Sequence, residues 1–307
     1  MAVSPISRFR RAAALTLMLI SGPAMAADPV VVSSKIDTEG AVLGQMILQS
    51  LEEAGIPVEN RLQLGATNIV RNAIKAGEID LYPEYTGNAA FFHDQADRDI
   101  WKDADKAYQQ AARLDKQAHD IVWLEPAEAN NTWAMSVRGD LAQENGLDTL
   151  EDLADYINGG GAFKFAASAE FVESASALPA FQEAYGFKLT SDQLLVLSGG
   201  NTAATLRAAA LNDNKVNGAM TYGTDGGLDA LDLKVMKDTL GVQPVYQPAP
   251  IVRSEVLEAY PQIPEILEPV FESLDLETLQ RLNGQVAVNG VPAEQVARDY
   301  LDSMARD

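Results

Sequence analysis

Four segments set an aromatic ring beside turn residues or polar neighbours at the end of a strand-like run. They are Tyr85 in YPEYTGN, Trp133 in NNTWAMSV, Tyr222 in MTYGTDGG and Tyr246 in QPVYQPAP. Any one of them alone fits ordinary core packing, because aromatic side chains bury large areas. Aromatic residues make up only 7% of the chain, however, so four such placements stand out. Loops at strand ends are also where binding groups concentrate. The chemistry these rings can share is cation–π attraction. A quaternary ammonium has no N–H to donate, so neither a carboxylate nor a carbonyl can hydrogen-bond it. Ring faces are its natural receptor, each worth ~0.5–2 kcal/mol once water is excluded.

Other chemistries find little support. The chain has no cysteine, hence no disulfide, no thiolate nucleophile and no Cys-ligated metal. His93 and His119 are its only histidines, and they are not spaced as a metal pair. A Ser-His-Asp triad would need one of them beside a serine; packing or surface roles suit them better. Glu84 and Glu170 would be the acid and base of a carboxylate-pair hydrolase, but nothing local sets their separation or raises a pKa. Gly159-Gly160-Gly161 reads as a turn rather than a phosphate loop. No cofactor or metal is expected. The formal charge of −21 argues against nucleic acid and anionic membranes, and weakly favours cationic or zwitterionic ligands.

The elements that must position the rings alternate between strand and helix. Residues 29–34 (PVVVSS) read as a buried strand, and 38–53 carry a helical stripe of Val42, Leu43, Met46, Ile47 and Leu51. Residues 61–64 are extended. A helix capped by Thr67 or Asn68 follows and stops at Gly77. Strand 79–82 then breaks at Pro83, and the T-G-N turn delivers Tyr85. Helix 101–119 and strand 121–124 complete a first set. The second set has strands near 132–137, 163–167, 194–197 and 216–222, with helices near 147–157, 177–185 and 202–211. From Ser254 onward the pattern is helical. Such alternation predicts α/β architecture with parallel-rich sheets covered by helices.

The stretches VVSSKIDTEG, AGEIDLYPEYTGNAA, NNTWAMSV, SAEFVESASALPAFQEAYGF and MTYGTDGG…LDLKVMKD…PVYQPAPIVR run in order over most of the chain. Together they resemble the glycine betaine/choline/carnitine-binding proteins of osmoprotectant ABC importers, and the YPEYTG block is similar to the osmotically regulated branch. The resemblance implies a two-lobed periplasmic binding protein with a ligand cleft between lobes and two interlobe crossings. It implies residues 27–129 and 243–307 for lobe one and 130–242 for lobe two. It implies a cage of Tyr85, Trp133 (where the family has tyrosine), Tyr222 and Tyr246 around a trimethylammonium head. Lys35 and Asn88 would approach the carboxylate, and Thr86 belongs to the same EYTG block. Asn130 and Asn131 either donate to the ligand or cap backbone groups. Ser174 stands where the family's E-F-x-x-R-x-D-G segment has an arginine, so a neutral donor replaces a charged fork. Arg207 or Arg253 would have to compensate.

The implied partners are a quaternary ammonium solute, an inner-membrane permease and a cytoplasmic ATPase, with the protein itself a monomer. Arg8, Arg10 and Arg11 followed by an apolar run and Ala24-Met25-Ala26 read as a secretory signal peptide over 1–26. The run is shorter than the ~20 residues that span a bilayer, which disfavours a membrane anchor. The expected location is a periplasm.

Overall fold

The computed structural model describes Met1 and residues 28–96, 99–197 and 202–306. The expected signal peptide therefore lies outside the described residues, apart from Met1. Two five-stranded sheets organise the rest, giving an α/β, two-lobed fold. The strands are β1 (Val30–Lys35), β2 (Val58–Gly65), β3 (Leu81–Tyr85), β4 (Ile121–Trp123), β5 (Trp133–Arg138), β6 (Phe165–Ser168), β7 (Leu194–Leu197), β8 (Gly218–Tyr222), β9 (Leu233–Val235) and β10 (Pro248–Arg253). One sheet has the order β2-β1-β3-β10-β4 and the other β7-β6-β8-β5-β9.

The sheets are mixed rather than simply parallel. β1 pairs in parallel with β2 and β3, and β6 with β7 and β8. β5 and β10 run antiparallel to their neighbours. Both follow directly on a segment that passes from one sheet to the other, residues 124–132 and 236–247. A strand arriving without a covering helix enters the sheet from the opposite end, which fixes its direction. The carboxyl ends of β1, β3 and β8 thus face the segments that join the sheets, the usual place for a ligand in such folds.

Side chains along the first sheet alternate between two cores. Leu81 and Val252 join Val42, Leu43, Ile47 and Leu51 of the helix Thr38–Glu53 and the C-terminal helices, whereas Tyr82 and Ile251 join Ile74, Trp101 and Trp123 on the other face. This is the two-residue period of a strand covered on both sides. The second sheet packs Met135, Val137, Phe165 and Met220 against Phe171 and Phe181.

β3 does not break at Pro83. It continues to Tyr85, with Pro83 opposite Pro250 of β10. Thr86 N–H donates to the Gln247 carbonyl, so hydrogen-bonded pairs fall at 86/247, 84/249 and 82/251. The two prolines occupy the intervening pair, where neither strand needs a donor for its partner. Sequence patterning left β10 unassigned because Pro248 and Pro250 mask it.

Candidate functional site

β1 ends at Lys35, and Asp37 caps the following helix by accepting from Gly40 N–H at 2.7 Å. The cap places Glu39 in the first turn, where the helix dipole favours a carboxylate. Glu39 is buried and accepts from Tyr85 Oη at 2.8 Å, Asn131 Nδ2 at 3.0 Å and Asn283 Nδ2 at 2.6 Å. Burial raises its pKa, and hydrogen bonds from Thr224, Tyr85 and Asn283 offset only part of that rise. Asn283 also donates to the Thr224 carbonyl at 2.9 Å. One carboxylate therefore gathers β3, a crossing segment, the penultimate helix Leu276–Ala287 and the loop after β8.

A second buried carboxylate sits behind Tyr85. Glu84 forms an ion pair with Lys35 and accepts from Tyr82 Oη at 2.8 Å, Asn88 Nδ2 at 2.7 Å and the Tyr85 N–H at 2.7 Å. The Lys35 ammonium lies 4.3 Å from the Tyr85 ring centroid. Lys35 and Asn88 are thus held by an internal carboxylate beside the Tyr85 ring. Burial, followed by Glu39 and Asp37, pushes the Tyr85 phenol well above its ordinary pKa.

Thr86 is buried and works as a staple. Its hydroxyl donates to the Val245 carbonyl at 3.0 Å and accepts from Gln247 N–H at 3.1 Å. It holds the segment bearing Tyr246 against the end of β3. Gly87 has an ordinary helical φ of −64°, so glycine is not needed there to turn the chain. It is needed for contact: a Cβ on Gly87 would lie 2.7 Å from Tyr246 Cε1. Burial raises the Tyr246 phenol, and Tyr222 and Glu84 add to the effect.

The crossing segments are tied together. Tyr246 N–H donates to Asn130 Oδ1 at 2.8 Å, Asn131 N–H to the Tyr246 carbonyl at 2.9 Å and Thr132 Oγ1 to the Pro244 carbonyl at 2.8 Å. Asn130 therefore caps backbone, while Asn131 serves both backbone and Glu39. Trp133 follows at once and is the direct cross-strand partner of Tyr222, so β5 and β8 present their rings side by side. Phe171 meets Trp133 edge-on, with centroids 5.7 Å apart. Asp225 fixes the Tyr222 turn by accepting from Tyr222 N–H at 2.7 Å, Thr221 Oγ1 at 2.9 Å and Thr202 Oγ1 at 3.0 Å.

Among the described residues, the buried side-chain polar atoms with no partner at hydrogen-bond geometry are Asn131 Oδ1, Trp133 Nε1 and Asn283 Oδ1. Burial raises the Tyr222 phenol, and the indole N–H of Trp133 faces it closely enough to pull it partly back. All three atoms belong to this one region. Buried orphans of this kind are rare in native proteins and call for a partner.

Ser174 is not joined to the group by any hydrogen bond among the described residues. It ends the helix Ala169–Glu173, and its hydroxyl pairs with Ser176 at 3.0 Å. Arg253 lies at the opposite end of β10 from Tyr85 and bonds Asp80 at 3.1 Å. Arg207 is exposed on the helix Thr202–Ala210. His93 contacts Asp115 at 2.7 Å within a buried cluster with Arg71 and Trp123. Sequence reasoning missed Glu39 and Asn283. The D-T-E spacing of Asp37 to Glu39 reads as a helix start, and Asn283 occupies an amphipathic helix, so neither carries a local signal.

Comparison with known proteins adds an independent line. Residues 28–303 match the family described as the substrate binding domain of ABC-type glycine betaine transport system. The glycine betaine-binding protein YehZ of Escherichia coli (strain K12) is 53% identical over 297 residues, covering 97% of each chain. A glycine-betaine-binding protein of Pseudomonas aeruginosa is 31% identical over 90% of this chain and 88% of its own. The solved structure of apo YehZ superposes with a TM-score of 0.84 at 55% identity, over 91% of this chain and 99% of that one.

Proposed function

The chain belongs to the substrate-binding domain family of ABC-type glycine betaine transport systems, and from that premise we propose that its ligand is a quaternary ammonium solute, glycine betaine or a close relative, held between the lobes. Tyr85 and Tyr246 would form one wall of an aromatic cage, and Trp133 and Tyr222 the other. The observation that carries this reading is the tie between the walls: the Trp133–Tyr222 pair starts two residues after Asn131, which bonds both the Tyr246 carbonyl and the Glu39 that holds Tyr85. Lys35, Asn88 and Thr86 line the same strand end. Lys35 would meet a ligand carboxylate while keeping Glu84 as its counter-charge, and Ser174 would add a neutral donor as the lobes close.

Residues 27–129 with 243–307 would move as one lobe and 130–242 as the other, by hinge closure at the two crossings. The permease partner follows from the family. We propose in addition that a cytoplasmic ATPase drives it, that the protein is a periplasmic monomer exported by residues 1–26, and that the ligand leaves chemically unchanged.

A second reading is favoured by Ser174 and by the unpartnered carbonyl oxygens of Asn131 and Asn283. A fully methylated betaine has no N–H or O–H to offer them, whereas choline and carnitine carry a hydroxyl. In that case the task need not be osmoprotection. Calorimetric titration with glycine betaine, choline, carnitine and tetramethylammonium separates the two readings. Tryptophan fluorescence should change on ligand addition, and the change should vanish in Trp133→Phe. No heat and no fluorescence response to any of the four compounds would overturn the cage.

A further inference from the structure

Among the four candidate cage rings, Tyr85 has its hydroxyl committed to a buried anion, Glu39. When ionised, the Glu39 carboxylate can only accept hydrogen bonds, so Tyr85 Oη at 2.8 Å is then the donor. A phenol that donates to a carboxylate gains electron density, and a richer ring attracts a cation more strongly. The same carboxylate orients the Asn131 and Asn283 amides, whose Nδ2 groups must face it, at 3.0 Å and 2.6 Å. Through Asn283 it reaches the Thr224 carbonyl, two residues beyond Tyr222.

We propose that Glu39 is a positioning residue of the ligand site, fixing and electronically enriching the Tyr85 ring so that affinity for a quaternary ammonium depends on this anion. The inference rests on the cage reading above, in which Tyr85 touches the ligand and Glu39 acts through it. Among the described residues, the charged and titratable groups around Glu39 can be named. Asp37 shares its helix end, Tyr85 comes from β3, and the Lys35–Glu84 pair lies against the Tyr85 ring. The crossing segment, the loop after β8 and the helix Leu276–Ala287 contribute the neutral Asn131, Thr224 and Asn283.

Burial raises the pKa of Glu39, so its charge is lost earlier on acidification than that of an exposed glutamate. Affinity should therefore be present above the folded pKa of Glu39 and decline as pH falls through it. Gln at this position keeps the shape, and the free Oδ1 of Asn131 can take its N–H after an amide flip.

The test uses tetramethylammonium, which has no tail and reads the rings alone. Its dissociation constant is measured by calorimetry between about pH 8 and pH 5 for the wild type, Glu39→Gln, Tyr85→Phe and the double variant. Glu39→Gln should bind about three- to tenfold more weakly near pH 8 and lose the pH dependence, and Tyr85→Phe should lose it too. In the double variant the Glu39 change should add little, because its route to the ligand is already cut. Wild-type affinity in Glu39→Gln, or losses that simply add, would overturn the role of Glu39 while leaving the cage standing. No binding by the wild type would remove both. If Glu39→Gln does not fold, a wild-type pH slope that disappears in Tyr85→Phe supports the proposal, and a slope that persists there refutes it.

Discussion

At the residue scale, the candidate site is built around two buried carboxylates, Glu39 and Glu84, that sequence spacing alone does not connect. Lys35 and Glu84 form an ion pair with almost no exposure on either side. Removing one partner leaves a buried charge without compensation, which costs about 3–5 kcal/mol. Glu84→Gln should therefore lower apo stability by that order in urea denaturation, and the double variant Lys35→Met/Glu84→Gln should recover most of it. In the double variant, glycine betaine should bind about tenfold more weakly while tetramethylammonium is unaffected, since only the former has a carboxylate for Lys35 to meet. Equal losses for both ligands would show that Lys35 serves the Tyr85 ring instead. Legibility at this scale was uneven. Tyr85, Trp133, Tyr222 and Tyr246 were visible because large rings beside turn residues are scarce in this chain. Glu39 was not, because its partners lie 46, 92 and 244 residues away.

At the element scale, the penultimate helix Leu276–Ala287 grips the loop that follows β8. Gln280 Nε2 donates to the Gly223 carbonyl at 2.7 Å, and a Cβ on Gly226 would lie 2.1 Å from the backbone nitrogen of Gly284. Such backbone-on-backbone contact leaves no side chain that can yield. Gly226→Ala should push the helix and the loop apart at a cost of roughly 1–3 kcal/mol, read by chemical denaturation, with weaker ligand binding as a second consequence. A variant as stable as the wild type would mean that the two elements are not pressed together in solution. Helix Thr38–Glu53 was legible, since its apolar stripe repeats within a few residues. β10 was not, since its prolines are harmless only in the register that sets Pro248 opposite Tyr85 and Pro250 opposite Pro83.

For the whole molecule, hinge closure predicts that saturating ligand reduces the radius of gyration measured by small-angle X-ray scattering. Binding with no change in size would argue that the lobes are already closed in the free protein. Affinity should depend only weakly on salt despite the strong negative charge, because interactions in a buried site are screened much less than exposed ones. By itself, the sequence determined the alternation of strand and helix, the aromatic residues available for a cage and the order of motifs that carries the family resemblance. These depend on periodicity, turn chemistry and residue type, all of which act over a few neighbours. The tertiary structure alone decided that Lys35 faces Glu84, that Gly87 is there for Tyr246, and that Glu39 joins segments from opposite ends of the chain. Contacts of that kind follow from how two sheets are set against each other, and burial makes them strong only after the chain has closed around them.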